Sequence, residues 1–221
     1  MIELRKASPK AIRFACTHFH YAKRVPAVSF AYNVYENSQW CGVIIFSSGA
    51  TVNIAKMFGC VQGEVLELVR VALNGRQSKT SQCVAMALRR LHHDAPYVKI
   101  VVSYADRNQG HIGIIYQATN WLYWGTTDQW AKSRKADSFI IFGQKYHPRS
   151  LHSKGYRQSI EWLKENVDQN ASECFSLPKH KYIFVFDKRL KRKLQKKALP
   201  YPKEVEGNDN STVETQNQGG V

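Results

Sequence analysis

Three consecutive stretches constrain the fold more than the rest of the chain: GEVLELVRVALNG (63–75), SKTSQCVAMALRRLHHDA (78–95) and YVKIVVSYAD (97–106). The first and third are runs of β-branched and aliphatic residues, which predict strands. Between them Val84, Ala87, Leu88 and Leu91 recur at helical spacing, which predicts an amphipathic helix. A strand, a helix and a strand in this order return the chain to the same end of a sheet, so the two strands pair in parallel. The flanks read differently. MIELRKAS predicts a short strand, and Ser8-Pro9 starts a helix over 9–21. Alternation around ENSQ predicts a hairpin with strands near 27–36 and 39–48, while ATVNIAKMFGCVQG reads as irregular. GHIGIIYQATN predicts a short helix and WLYWGTTDQW a strand; SFIIFGQKY and KYIFVFDKRL are strand-like, with a helical SIEWLKENV between them. The expected class is α+β: a mixed, largely antiparallel sheet with a central parallel strand pair, flanked by helices.

Residues 1–203 read as one domain, closed by a basic segment at 179–203, and 204–221 as a disordered tail poor in apolar residues. The formal net charge of +15 far exceeds what solubility needs and points to a polyanionic partner. Five cysteines at 16, 41, 60, 83 and 174, none spaced as a zinc or redox pair, predict free thiols in a reducing cytoplasm. No apolar run is long enough to span a bilayer.

Several residues stand out chemically. Glu67 and Arg70 are lone charges in an apolar strand, and alternation places them on opposite faces; each needs a partner, a ligand or a cleft. Asp106 ends a strand before a polar loop, where it suits a base or metal ligand, or else caps the next turn. Tyr116 falls on the stripe of its own helix, which favours a core tyrosine, although its hydroxyl suits a general acid. His18, His20 and Tyr21 crowd the end of the first helix, where His20 is a candidate base or, with Asp106, a candidate metal site. The loop NGRQSKTSQ ends at a helix N-terminus with a lysine beside it, a combination that favours phosphate; the ordinary reading is a helix start capped by Ser78, Thr80 or Ser81.

The order of elements, ending in IYQATNWLYWG, resembles the core of the GNAT acyltransferase superfamily. That resemblance implies a coenzyme A-type donor, acetyl-CoA or another. Val71 and Leu73 would lie along it, with Arg76, Gln77, Ser78, Lys79, Thr80 and Ser81 at its pyrophosphate and Tyr116 protonating the departing thiolate. The loop glycines usual there are replaced by RQSKTS, and Asn120 stands where Gly is usual. More narrowly, HYAKRVP, LELVRVAL, VVSYADRNQGHIGIIYQATNWLYWG and HKYIFVFDKRLKRKL are together similar to the Mom family of phage DNA-modification proteins. The similarity implies conversion of the exocyclic amino group of adenine in double-stranded DNA to a carbamoylmethyl-type adduct, which shields phage DNA from host restriction. It also implies a cleft lined by His20, Tyr21, Glu67, Arg70, Ser103, Asp106 and Tyr116, with iron as a candidate cofactor at His20 and Asp106. Tyr21, Tyr104, Trp121 and Trp124 are available to stack on an extracted base. Lys188, Arg189, Lys191, Arg192, Lys193, Lys196 and Lys197 would contact phosphates, in the cytoplasm of an infected or lysogenic host. The alternatives are a conventional acetyltransferase acting on a protein or small amine, and a non-catalytic DNA-binding protein.

Overall fold

A computed structural model describes residues 1–49, 53–128 and 136–203; the tail expected from 204 lies outside the described residues. The chain opens with β1 (Ile2–Lys6), α1 (Pro9–His18) and the hairpin β2 (Phe30–Glu36) and β3 (Gln39–Ser47). A short helix α2 (Asn53–Met57) replaces part of the irregular stretch expected there. The central unit follows as β4 (Val65–Leu73), α3 (Thr80–Asp94) and β5 (Ile100–Ala105), then one turn of α4 (Ile114–Gln117) and β6 (Leu122–Thr126). The rest comprises β7 (Ser138–Ile141), β8 (Gln144–Tyr146), α5 (Pro148–Ser153), α6 (Ile160–Asn166), β9 (Ser172–Cys174), β10 (His180–Val185) and α7 (Lys188–Gln195).

Seven strands form one sheet in the order β1, β2, β3, β4, β5, β10, β6. All neighbours are antiparallel except β4 and β5, which are parallel. The α+β expectation with one central parallel pair is therefore borne out. On one face α3 buries Val84, Ala87, Leu88 and Leu91 against Leu66, Leu68 and Val101. On the other, α1 buries Ile12, Ala15 and Cys16 against Val43, Ile45 and Ala72, and α7 packs Leu190 and Leu194 against Ile100, Ile183 and Val185. Strands β8, β7 and β9 form a separate three-stranded sheet whose cluster includes Phe139, Ile141, Leu151 and Leu163.

Two features of β4 and β5 open the fold. Their parallel pairing runs only from Val65–Ile100 to Glu67–Val102, although both strands continue, so they part in a V. At the same level β4 carries a bulge: Leu68 faces Phe46 and Arg70 faces Ile45, leaving Val69 unmatched. A bulge moves every later side chain to the other face. Leu66 and Leu68 join the α3 cluster together with Val71 and Leu73, while Ala72 joins the α1 cluster. Arg70 consequently shares the α1 face with Glu67, which corrects the expectation from simple alternation. No residue type in VLELVRVAL marks the bulge.

All five cysteines are free, and four of them are buried. Among the described residues no helix is long and apolar enough to cross a membrane.

Candidate active site

A cavity of about 450 Å³ fills the V and the space beyond the carboxyl ends of β4 and β5. His20, Tyr21, Glu67, Arg70, Asp106 and Tyr116 all line it. Ser103 stands behind Tyr116, with its Oγ 2.8 Å from both the Tyr116 hydroxyl and the Leu68 carbonyl oxygen. The seven site residues read from the sequence are thus brought together. His111 and Lys179 also line the cavity. Neither was singled out from the sequence, although His111 lies inside the block around SYAD and Lys179 opens the basic segment.

Each group is positioned by a local feature. α1 ends at His18, and Phe19 closes it, which turns His20 and Tyr21 off the helix and into the cavity. Asp106 follows β5 and caps a single 3-10 turn: its Oδ1 accepts from the backbone N–H and side-chain amide of Asn108, both at 3.1 Å. Its Oδ2 faces the cavity, accepting from the Tyr21 hydroxyl at 3.2 Å and lying 3.4 Å from Lys179 Nζ. The capping and functional readings of Asp106 are both realised, one on each oxygen. Gly113, at φ +86, starts α4 and delivers Tyr116; a Cβ there would collide with the Tyr182 ring. Tyr116 is 7% exposed and packs on Trp121 and Tyr182. It is thus a core side chain whose polar end meets the cavity.

The electrostatics separate these groups. Burial pushes Asp106 up, but the hydrogen bonds from Asn108, the Lys179 ammonium and the Tyr21 hydroxyl outweigh it and leave the carboxyl below its ordinary value. Tyr21 is pushed up to about 12 by burial and by Asp106. Tyr116 is raised by burial, against the hydrogen bond with Ser103. His20 is depressed to about 4, first by burial and then by Arg70, His111 and Lys179. Its Nδ1 accepts from the Ala22 N–H at 3.1 Å, so the neutral ring carries its proton on Nε2. With Nδ1 engaged, the neutral ring has its N–H at Nε2 to donate. Its folded value lies below the ordinary 6.5, so the unfolded chain binds more protons between the two. Stability is complete above that range and falls as pH drops through it. His20→Gln is expected to lose less melting temperature between about pH 7 and about pH 5 than the parent protein does. Equal losses in thermal melts count against this assignment.

Arg70 donates from Nη1 to the Val69 carbonyl at 2.6 Å, and its buried Nε has no hydrogen-bond partner among the described residues. The site therefore keeps donor capacity for a ligand. Iron does not fit this donor set. Among the described residues no three His, Cys, Asp or Glu side chains converge. His20 Nδ1 is engaged, and Asp106 already faces a hydroxyl and an ammonium. Arg70, His111 and Lys179 make the surroundings of His20 positive.

The phosphate-type loop behaves differently from expectation. Lys79 is the N-cap of α3 and offers no side-chain cap, so neither Ser78, Thr80 nor Ser81 caps the helix. Ser78 instead gives its N–H and its hydroxyl to the Glu36 carboxylate, both at 2.6 Å. Thr80 and Val71 reach the main cavity, whereas Leu73, Arg76, Gln77, Ser78, Lys79 and Ser81 do not line it.

Of the stacking candidates, Tyr21 and Tyr104 line the cavity, Trp121 is fully buried core, and Trp124 packs edge-on to Phe58. Tyr182, beside the basic segment, is also core. α7 follows Val185, which pairs with Ile100 at the start of β5. Its cations therefore lie about a strand length, roughly 17 Å, from the cavity end, on the sheet face that carries Glu67.

Comparisons with known proteins bear on what this cavity belongs to. The methylcarbamoylase mom of Escherichia phage Mu is 24% identical over 194 residues, 83% of this chain and 76% of that protein. Among solved structures, a Bacillus subtilis acetyltransferase in complex with CoA matches at 11% identity and a TM-score of 0.45, over 84% of this chain and 98% of that one. An aminoglycoside acetyltransferase in complex with coenzyme A and kanamycin matches at 11% identity and a TM-score of 0.47, over 87% and 98%. The model of the Mom protein family matches residues 2–203, which include every element that builds the cavity, and the chain belongs to that family.

Proposed function

We propose that this protein transfers a carbamoylmethyl-type (methylcarbamoyl) group to the exocyclic amino group of adenine in double-stranded DNA. The observation that carries this reading is the convergence of Asp106, Tyr116, Arg70, Tyr21 and His20 in one cavity of a Mom-family chain. The cavity volume is within the range of sites that enclose a small planar ligand. An adenine in a duplex must be turned out of the stack before its amino group can be reached, and the formal charge of +15 favours the phosphates on either side. Lys188, Arg189, Lys191, Arg192, Lys193, Lys196 and Lys197 of α7 and the turn after it, about a strand length away, would hold phosphates farther along the duplex.

The residues divide the work. The exocyclic amine carries no extra proton at neutral pH, so it sheds one only as the new bond forms. Asp106, ionised and aimed into the cavity, accepts that proton at Oδ2. Tyr21 and Lys179 hold the carboxylate in place. Tyr116 keeps its proton at Oη and passes it to the leaving group. Ser103 has one proton, which it gives to Leu68; once Tyr116 has lost its own, Ser103 can turn to donate to the phenolate. Arg70 and the His20 Nε2–H hold a carbonyl or anionic group of the incoming fragment, and Glu67, on the same sheet face, orients the Arg70 guanidinium.

A carbamoylmethyl adduct needs the new N–CH2 bond to form as the bond from that methylene to its leaving group breaks. A CoA-type donor would meet this only with the methylene on its sulfur, the thiolate leaving with the Tyr116 proton, because a thioester carbonyl would leave an acyl adduct. Thr80 and Ser81 at the open start of α3, with Lys79 and Arg76, would hold that donor's pyrophosphate, and Val71 and Leu73 would follow its arm. The Glu36 carboxylate already occupies the anion-binding part of this loop, so an anionic donor has to displace it. Glu36→Gln is expected to bind CoA several-fold more tightly than the parent protein by calorimetry. Unchanged or weaker binding removes the pyrophosphate assignment.

Plasmid DNA from bacteria expressing the protein is expected to resist restriction enzymes whose sites contain adenine, and to stay sensitive to enzymes whose sites lack it. A plasmid cut as completely as the control favours a conventional amine acetyltransferase instead.

A further inference from the structure

The chain leaves the main sheet after β6 and returns at β10, and between them stands the small sheet of β7, β8 and β9. Its neck is at the cavity, in whose wall Lys179 lies. Thr127 donates its N–H to the Lys179 carbonyl at 3.0 Å, and Lys179 gives its own N–H to the Thr127 hydroxyl at 3.1 Å. The Leu177 N–H goes to the Asn108 side-chain oxygen at 3.1 Å, and Asn108 in turn donates to the Asp106 carboxylate. β7 starts beside this neck, where Asp137 takes the Ser176 N–H and gives its own to the Cys174 carbonyl. About 13 Å along the strand, it ends in a two-residue hairpin tip, Phe142 and Gly143.

This tip breaks a local rule. A two-residue turn of this kind takes positive φ at both positions, for which Asn, Asp and Gly are the ordinary choices. The β2–β3 hairpin uses small polar residues there, Asn37 and Ser38. Here φ is +49 at Phe142 and +72 at Gly143, and a bulky side chain at positive φ is strained. Phe142 is also 70% exposed, so burial of its ring does not offset the strain. The Asp168 carboxylate accepts the Phe142 N–H at 2.6 Å and the Asn170 N–H at 2.9 Å, which holds the turn in this conformation. Strain maintained without a packing gain is the mark of a functional position.

The chemistry around the tip specifies its partner. From Gly143 to Gln158 the chain carries Lys145, Arg149, Lys154 and Arg157 and no acidic residue, and all four cations are exposed. The segment is one unit: the Gln158 amide donates to the Pro148 carbonyl at 3.1 Å, and the Lys154 ammonium lies 5.5 Å from the Tyr146 ring centre. An exposed ring on a braced tip, with cations beside it, suits a stack of flat bases edged by phosphates. Proteins that kink a duplex insert such apolar wedges between base steps. We propose that the β7–β8 tip is a DNA wedge. Phe142 enters the duplex between two base pairs, and Lys145, Arg149, Lys154 and Arg157 hold the phosphates around it. The length of β7 sets the wedge about four base pairs from the neck, where a kink loosens the stacking that base extrusion must overcome. This rests on double-stranded DNA as the substrate and adds the surface that deforms it.

Phe142→Asn removes the ring and relieves the turn, so it is expected to melt at or above the temperature of the parent protein. It is expected to bind a duplex of about 30 base pairs about tenfold more weakly, the weight of one base–aromatic stack. Energy transfer between dyes on the duplex ends is expected to report a bend with the parent and none with the Asn variant, and Phe142→Trp restores both affinity and bend. The slope of log affinity against log salt stays unchanged in Phe142→Asn and falls by about two when Lys145 and Arg149 are both changed to Gln. Parental affinity and bending in Phe142→Asn, or an unchanged salt slope in the double variant, overturns the proposal. So does an Asn variant that melts well below the parent, which would make Phe142 a packing residue. Modified deoxyadenosine from a parent that leaves the duplex straight removes the wedge and keeps the transfer reading. Phe142-dependent bending without any modified deoxyadenosine instead sinks the adenine-transfer reading and leaves the wedge.

Discussion

Asp106→Asn is expected to lower the rate of modification by about a thousandfold while the protein stays folded. Loss of a positioned general base typically costs 10²–10⁴-fold. The substitution keeps the geometry: the side-chain oxygen of Asn still accepts from the Asn108 N–H, as Asp106 Oδ1 does now. What disappears is the charge on Oδ2, which faces Tyr21 and Lys179. Removing one negative charge from a positive rim leaves DNA affinity unchanged or stronger. The variant therefore separates chemistry from binding. A drop in both, measured by gel shift and nucleoside analysis, would mean that Asp106 acts through structure.

Tyr116→Phe is the second large effect, about a hundredfold in rate. Its stability cost is small, about 1 kcal/mol for one hydrogen bond, because Ser103 keeps its bond to the Leu68 carbonyl and the Phe ring keeps its packing on Trp121 and Tyr182. If Tyr116 were only core, the variant would modify DNA at the parental rate. Ser103→Ala should fall between the two, since it removes the group that stabilises the phenolate but leaves the proton donor. Thermal melts beside rate measurements decide whether any loss comes from unfolding.

Much of the fold follows from periodicity. The stripe of α3 and the two aliphatic strands around it fix the parallel pair, and that pair fixes where Asp106 emerges. The parts that escaped are those without a local residue signature. The bulge at Val69 is made by ordinary β-forming residues, yet it brings Arg70 round to the face of Glu67 and creates the V. The capping of α3 by Lys79 contradicts every preference for Ser or Thr at that position, and the reason is long-range: Glu36, on the hairpin, has taken Ser78. The tautomer of His20 depends on one turn amide. Tyr116 shows the opposite limit, since its place on an apolar stripe is correct and its hydroxyl still reaches the cavity. Trp121, available for stacking by residue type, is fully buried core instead.

The most direct measurement is nucleoside mass analysis of plasmid DNA from bacteria expressing the protein or its Asp106→Asn variant. The parent is expected to yield a new deoxyadenosine derivative, heavier by the carbamoylmethyl group, with the other three nucleosides unchanged and the derivative lost in the variant. Unmodified deoxyadenosine from cells containing soluble, folded parent protein, or equal modification by the variant, would contradict it.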